Sequence, residues 1–479
     1  MEDKYQPVLQ KALGRIVPSR EEREATTRTA ENVRRRIQTV LEEAGVQAVV
    51  EVGGSVAKDT WLGDDVEIDF FLLFPSDVDR ETLRRTGLDV AYKALAGHKS
   101  RERYAEHPYL EAWVNGKRVN IVPCYRATEN RWLSSADRSP YHTRYVRSKL
   151  GGNPSLADEI RLLKRFLKGI EVYGAEIRVG GFSGYLCELL VLGYGSFLNS
   201  LRAFAEWRFG EVLDVERLHQ GRLEEIRRLF QAPLIVVDPV DMNRNVAAAV
   251  RKERMSELVA ASRLFLERPN SAFFYPEKAP VDIDVIQGKL SSSEFDVIAV
   301  IMRTEERVPD ILWGELRKTT KAIGKLLGTN GFTVYRAEAW SDEVELSIIL
   351  LVLESRKISA TRKHLGPSGD SPETTAFLEK YQTQAAIGPW VEDGRWMVGA
   401  SRRFTDAVTL LQEKLVKGGY GIGVSNELVE ALKSSRLLAG VDVLSCSTSD
   451  GFRRCLESLI VGRSPWLAYS SSSSSSSSS

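Results

Sequence analysis

No run of about twenty apolar residues, the length needed to cross a bilayer, occurs in this 479-residue chain, and no membrane association is expected. Cysteine is scarce. Cys124, Cys187, Cys446 and Cys455 stand apart without C-x-x-C spacing, and the five histidines do not cluster with them, so neither zinc nor a disulfide framework is indicated. An excess of either charge is also missing: 66 Lys and Arg against 65 Asp and Glu leave a formal net charge of +1. That excludes a uniformly basic nucleic-acid binder and requires any such surface to be local. The opening Met1-Glu2-Asp3-Lys4 lacks the basic and then apolar segments of a signal peptide, so a cytoplasmic protein is expected. The serine run at 470–479 can bury nothing, and disorder is expected there.

What is present is a chain long enough for about three domains and one unusual stretch, residues 53–75. Glu67 and Asp69 interrupt an apolar run, Val66-Glu67-Ile68-Asp69-Phe70-Phe71-Leu72-Leu73-Phe74. On a period-two strand both carboxylates project from one face and Val66, Ile68 and Phe70 from the other. Two anions fixed side by side in a buried strand call for a cation between them, and a hard divalent ion such as Mg2+ suits carboxylate oxygens. Upstream, Gly53-Gly54-Ser55 is a tight turn where backbone N–H groups and a hydroxyl can approach a polyphosphate. Either feature alone is commonplace. In the order strand, Gly-Ser turn, short helix, acidic strand, they resemble the signature of the DNA polymerase β nucleotidyltransferase superfamily.

Around this stretch, Ser19-Arg20-Glu21-Glu22 is a capping box opening a helix that keeps Val33, Ile37, Val40 and Leu41 on one stripe until Gly45. A strand over 48–52 and a helix over about 79–96 flank the acidic strand. Residues 109–114 and 117–125 read as a hairpin with a type I′ turn at Asn115-Gly116. In its second strand Val119 and Ile121 face the core and Asn120 the polar side.

From 142 to 168 the chain carries Arg144, Arg147, Lys149, Arg161, Lys164, Arg165 and Lys168, interleaved with Tyr145 and Phe166. Such a run suits a solvated helix face as well as a phosphate site beside it. Residues 180–192 read as a buried helix. Residues 235–246 read as a strand leading through a turn into a helix containing 246–260, with Arg244 at the helix start, suited to an anion or a base edge.

Past about 268, strands at 295–303, 333–338 and 343–354 alternate with a helix at 313–327, the pattern of an α+β module that binds RNA. Arg356 opens a basic turn, and Arg356, Lys357, Arg362, Lys363 and His364 precede Leu365-Gly366-Pro367. Farther on, Arg395 precedes Trp396, and Arg402 and Arg403 precede Phe404. Cations beside aromatics fit phosphate contact with base stacking. The glycine-rich 418–423 lacks the strand and spacing of a dinucleotide loop.

Together, Gly54-Ser55 with Thr60-Trp61-Leu62, Glu67-Ile68-Asp69, Tyr104-Ala105-Glu106-His107-Pro108-Tyr109, Val122-Pro123-Cys124-Tyr125, Asp137-Arg138-Ser139-Pro140-Tyr141-His142, Arg161-Leu162-Leu163-Lys164, Tyr173-Gly174-Ala175-Glu176, Gly181-Phe182-Ser183-Gly184-Tyr185-Leu186-Cys187-Glu188 and Val237-Asp238-Pro239-Val240-Asp241 resemble the archaeal, class I CCA-adding enzymes. The match is good over about 5–260 and looser beyond. It implies a multidomain α+β protein: a polymerase-β-like head with a mixed sheet (1–147), a helical central domain (148–267) and an α+β C-terminal region that binds tRNA (268–469), before the serine run.

The implied activity is addition or repair of the 3′-terminal CCA of tRNA from CTP and ATP without a nucleic-acid template. The implied catalytic and metal residues are Glu67 and Asp69, with Asn120 at the third ligand position and Mg2+ as cofactor. Ser55 and Lys58 would hold phosphates. His142, Lys164 and Tyr173 would contact the nucleotide, and Arg244 its base. Arg362, Lys363, Arg395, Arg402 and Arg403 are the RNA-binding candidates, and the resemblance admits a homodimer. Three departures stand out: Lys58 and Gly180, each where arginine is frequent, and Asn120 in place of a third carboxylate, which lowers the expected activity. The rival readings are a poly(A) polymerase or oligoadenylate synthetase relative, and a silent tRNA-binding relative.

Overall fold

The computed structural model describes residues 3–104, 108–128, 131–277, 280–292, 294–462 and 466–467. Ala105-Glu106-His107 and the serine run lie outside the described residues. The described residues form two compact units: 3–277 with 308–310 and 466–467, and the remainder of 280–462.

The first unit opens with α1 (Gln6–Ile16) and α2 (Arg20–Glu43). Ser19 closes the capping box before α2, with Glu22 N–H on its hydroxyl and Glu22 Oε2 on its N–H, and Val33, Ile37 and Leu41 are buried along the helix. Then follow β1 (Val49–Gly53), α3 (Gly54–Lys58), β2 (Glu67–Phe74), α4 (Arg80–Ala94), β3 (Ser100–Tyr104), β4 (Pro108–Val114) and β5 (Lys117–Tyr125). The sheet order is β1-β2-β5-β4-β3. Only β2 and β5 run parallel, so the sheet is mixed. Asn115 (φ 51°) and Gly116 (φ 74°) make the left-handed turn that matches the hairpin's twist. Ile68, Phe70, Val119 and Ile121 enter the core with α2 and α4, which turns the odd-numbered residues of β2 and Asn120 to the opposite face.

The helical part comprises α5 (Ser139–Gly152), α6 (Leu156–Gly169), α7 (Gly184–Tyr194), α8 (Phe197–Glu206), β6 (Glu211–Leu213), α9 (Leu223–Phe230), β7 (Leu234–Asp238), β8 (Asp241–Asn245) and α10 (Lys252–Glu267). Its core joins Leu163, Phe166, Leu190 and Phe265 to Leu9 and Ile16 of α1. The first helix of the chain therefore packs with the helical part rather than with the sheet.

Two expectations for this unit need correction. The helix foreseen from 180 begins only at Gly184: Ser183 caps it by accepting from Leu186 N–H, and Phe182 pairs with Tyr173 in extended conformation. Residues 241–245 are a second strand rather than a turn, antiparallel to β7. Asp238 Oδ1 takes the Val240 N–H and Asn245 Oδ1 the Val236 N–H, which stabilises a hairpin. Arg244 thus stands on a strand, and the next helix starts eight residues later, at Lys252.

The second unit contains α11 (Ile283–Ser291), β9 (Asp296–Arg303), α12 (Pro309–Thr329, whose first two residues fall to the first unit), β10 (Val334–Ser341), β11 (Leu346–Leu353), β12 (Thr361–Ser368), α13 (Thr374–Gln384), β13 (Ala385–Glu392), β14 (Arg395–Ser401), α14 (Ala407–Leu415), α15 (Val429–Lys433), β15 (Arg436–Ala439) and α16 (Asp450–Val461). An antiparallel sheet, β10-β11-β9-β15, is covered on both faces, which explains the unbroken apolar run of β11. That strand starts at 346 rather than 343, because Asp342 Oδ1 collects the N–H groups of Val344, Glu345 and Leu346 into a turn. A second sheet, β12-β14-β13, takes in Arg362, Lys363 and His364. Lys363 pairs with Gly399 in the ladder. No helix among the described residues is long and apolar enough to cross a membrane.

Candidate active site

The register sets the acidic face. Asp69 lies opposite Gly53 on one side and Asn120 on the other, and Glu111 of β4 lies opposite Asn120. Asn120 Nδ2 donates to Glu67 Oε1 (2.5 Å) and Asp69 Oδ1 (2.9 Å), bridging the carboxylates where a cation would neutralise them. Its own Oδ1 is buried with no partner among the described residues. Burial, then the neighbouring Glu67 charge, raises the Asp69 carboxyl to about 6. Arg118 Nη2 sits 3.7 Å from Glu67 Oε2 and 3.1 Å from Asp65 Oδ1.

The Gly-Gly-Ser turn lies directly on this strand. Gly54 has φ +64°, and a Cβ there would fall 1.9 Å from Asp69 Oδ2. A side chain at 54 is excluded both by conformation and by space. Ser55, the next residue, is half-buried in α3, so hydroxyl, turn amides and carboxylates share one corner of the sheet.

Behind the turn is a buried charge cluster. Lys58 Nζ donates to Glu188 Oε2 at 2.5 Å. Lys164 Nζ donates to Glu188 Oε1 (2.9 Å), Thr60 Oγ1 (3.0 Å) and Thr60 O (3.1 Å), and Thr60 Oγ1 donates to Glu188 Oε1 (2.6 Å). All four side chains are buried. Burial alone would raise the Glu188 carboxyl, but the Lys164 and Lys58 charges overcome it and bring it to about 2. Burial lowers Lys164, opposed by Glu188. Tyr173 flanks the cluster: a Cβ at Gly184 would meet its hydroxyl at 2.9 Å and Lys164 Nζ at 3.8 Å.

A third group centres on Asp238. Its Oδ2 accepts from Arg244 Nη1 (2.8 Å) and lies 2.8 Å from His142 Nε2, and its Oδ1 accepts from Tyr185 OH (3.1 Å). The His142 and Tyr185 rings stack with centroids 3.9 Å apart. Burial holds His142 below its ordinary value, and Asp238 opposes the shift. Beside Arg244 opens a cleft of about 650 Å³ lined by Arg138, Ser183, Asp241 and Asn243. The Lys58 charge acts on both Asp69 and His142, which ties the three groups together.

The expected residues thus converge in pairs through anions that sequence reading quoted but gave no role. Glu188 joins Lys58 to Lys164, and Asp238 joins His142 to Arg244. Glu188 did carry a signal, a single acid in the apolar stretch Leu186-Cys187-Glu188-Leu189-Leu190, where burial demands a cationic partner. The rest of the basic run has other work. Arg161 is fully buried and donates to Trp61 O (2.9 Å), Asp59 O (2.6 Å) and Asp158 Oδ1 (2.7 Å). Lys168 pairs with Asp65, Arg165 with Asp64, and Lys149 with Glu216.

Within the second unit, Arg395 Nη2 and Arg402 Nη1 donate to the carbonyls of Gly366 (3.0 Å) and Asn330 (3.3 Å). Lys363 pairs with Glu392, and Arg403 with Glu413. Arg362 is exposed on β12, with no ion pair among the described residues.

Three family profiles match the chain: "Nucleotidyltransferase domain" over 33–144, "tRNA nucleotidyltransferase, second domain" over 158–275 and "CCA-adding enzyme, C-terminal domain" over 295–435. The CCA-adding enzyme of Methanothermobacter thermautotrophicus is 36% identical over 438 residues, 90% of this chain and 92% of the relative. That of Pyrobaculum aerophilum is 37% identical over 426 residues, 87% of this chain and 95% of the relative. Among solved structures, a Cid1 poly(U) polymerase with Mg and 3′-dATP bound aligns with a TM-score of 0.46 and 15% identity, over 57% of this chain and 99% of that one.

Proposed function

The chain belongs to the archaeal-type CCA-adding enzymes, and from that premise we propose that it joins CMP and then AMP units, from CTP and ATP, to the tRNA 3′ end at the corner formed by β2, β5 and α3. It is a nucleotidyltransferase with a polymerase-β-like head, and it acts on tRNA. Nucleotidyltransferases of this superfamily generally use a divalent metal. The donor set fits one: two carboxylates bridged by a neutral amide, an Asp69 carboxyl raised by burial and then by its neighbour's charge, and a buried amide oxygen without a partner among the described residues. Glu67, Asp69 and Asn120 would hold Mg2+, which when bound stabilises the attacking and leaving oxygens.

The reaction is in-line. The tRNA 3′ hydroxyl oxygen bonds to the α-phosphorus as its O–H bond breaks and the proton passes to solvent, the bond from that phosphorus to the α–β bridging oxygen breaks, and pyrophosphate leaves. Ser55, Lys58, His142, Lys164, Tyr173 and Arg244 form the nucleotide site, with Arg244 at the cleft that admits a base. Asn120 carries no charge and accepts no proton, so turnover is lower than a third carboxylate would allow. Arg362, Lys363, Arg395, Arg402 and Arg403 are the tRNA contacts, and Arg362 is the readiest because no acid or carbonyl among the described residues competes for it. We assign 1–147 to the catalytic head, 148–267 to the central domain and 268–469 to the tRNA-binding region, in a cytoplasmic homodimer.

The carrying observation is the carboxylate pair bridged by Asn120 against the Gly-Ser turn. The test supplies tRNA trimmed of its 3′ end, Mg2+ and labelled CTP or ATP to the wild type and to Asn120→Asp. Incorporation of C and then one A supports the reading, with a gain of tenfold or more, about 1.4 kcal/mol of barrier, in the variant. If both folded forms are inert, it fails.

A further inference from the structure

The acidic face does not end at β5. Leu110 and Ala112 of β4 enter the core, so Glu111 between them projects from the other face, where the register sets it opposite Asn120. Side chains paired in this way have their Cβ atoms about 5 Å apart. Glu111 is buried, at 3% exposure, and a carboxylate so placed needs cationic partners. They come from β3: Arg101 Nε donates to Glu111 Oε2 at 2.6 Å, and Arg103 Nε lies 3.6 Å from the same oxygen. Glu111 and the two acids of β2 share one field. Burial, then the Glu67 and Glu111 charges, push the Tyr109 hydroxyl up to about 12, and Asp69 adds to them.

Charge is what the site lacks. Asn120 brings an amide oxygen, buried and unpartnered among the described residues, but it is neutral. Arg118, 3.7 Å from Glu67 Oε2, offsets part of what the carboxylate pair provides. We infer that Glu111 supplies the third negative charge of the metal site from the neighbouring strand, acting on the divalent ion across Asn120, while Arg101 and Arg103 hold its carboxylate in place. Metal affinity and turnover are thereby separated. Affinity keeps a third charge, whereas turnover falls because position 120 accepts no proton. This rests on the proposal that Glu67, Asp69 and Asn120 hold the ion.

The test measures binding of Mn2+ alone to the full chain, from the electron paramagnetic resonance of the free ion, with Asp69→Asn marking which binding belongs to this site. A carboxylate that supports a metal ligand without itself touching the metal is worth about tenfold or more in affinity. Glu111→Gln is expected to weaken Mn2+ by that factor. The same substitution is made on a background of Arg101→Met with Arg103→Met, where it leaves neither arginine unpaired, and the same loss is expected there. Asn120→Asp should tighten Mn2+ more in Glu111→Gln than in the wild type, because either carboxylate makes the other less necessary.

If Glu111→Gln on the arginine-free background leaves Mn2+ affinity unchanged, Glu111 is only a structural partner of Arg101 and the inference is overturned. That background also decides the matter should Glu111→Gln alone fail to fold, as judged by circular dichroism. Equal gains from Asn120→Asp with and without Glu111 overturn the inference as well. If Asp69→Asn removes no Mn2+ binding at all, the metal reading itself fails first.

Discussion

At the scale of single residues, the site depends on side chains that are small or neutral where bulk or charge would be disruptive. Gly184 lies where a methyl group would press on the Tyr173 hydroxyl and come close to Lys164. Gly184→Ala is expected to raise the KM for CTP and ATP severalfold, with little change in thermal stability because alanine favours a helix. Steady-state kinetics beside a melt would check both. His142 is buried and held below its ordinary value of 6.5. Between that lowered value and 6.5 the unfolded chain binds more protons than the folded one, so stability rises with pH across this window and falls on acidification. Asp69, raised to about 6, acts in the opposite sense up to that pH, so denaturant titrations between pH 5 and 7 should show the His142 slope as the difference between the wild type and His142→Asn. Glu188 and Asp238, both depressed to about 2, act lower: their stabilisation is complete above the ordinary carboxylate range and is lost as pH falls towards 2.

Secondary elements position those residues, and local chemistry predicts some joints and not others. The capping box of α2 was legible because its bonds span only three residues. Ser19→Ala should cost about 1 kcal/mol, measured by denaturant unfolding. The acidic strand was legible for the same reason, since alternation assigns Glu67 and Asp69 to one face whatever the strand's neighbours. Arg161 was not legible. Read among a basic run, it is in fact the brace between α6 and the turn after α3, and its partners in that turn, Asp59 and Trp61, lie about a hundred positions away. Arg161→Met leaves the Trp61 and Asp59 carbonyls without their donor. It is expected to destabilise the first unit by about 3 kcal/mol, visible as a lowered midpoint without loss of helix content in the folded state. Arg244 was misplaced because the Asp238 turn is tight enough to start a strand, and side-chain to backbone bonds such as Asn245 to Val236 leave no periodic trace.

For the molecule as a whole, near-neutral net charge means that tRNA must be held by local cations. Most arginines named from sequence in the second unit are engaged with carbonyls or acids, and Arg362 has no such partner among the described residues. Arg362→Ala should raise the KM for tRNA severalfold and reduce the salt slope of tRNA binding by about one. The KM for CTP should be unaltered. Filter binding over a salt series alongside kinetics would test it, and an equal effect on CTP would contradict the proposed separation of tRNA grip from chemistry.

The amino-acid order alone determined the strands and helices around the acidic face, the face on which Glu67 and Asp69 project, the turn that must be glycine, and the family, because each is written in spacings of a few residues. Only the tertiary structure decided which cations are free. Whether Lys58, Lys164, Arg161 or Arg395 can meet a ligand depends on acceptors brought from distant segments, Glu188 above all. A buried ammonium or guanidinium takes whatever oxygens surround it, and no local pattern records which those are.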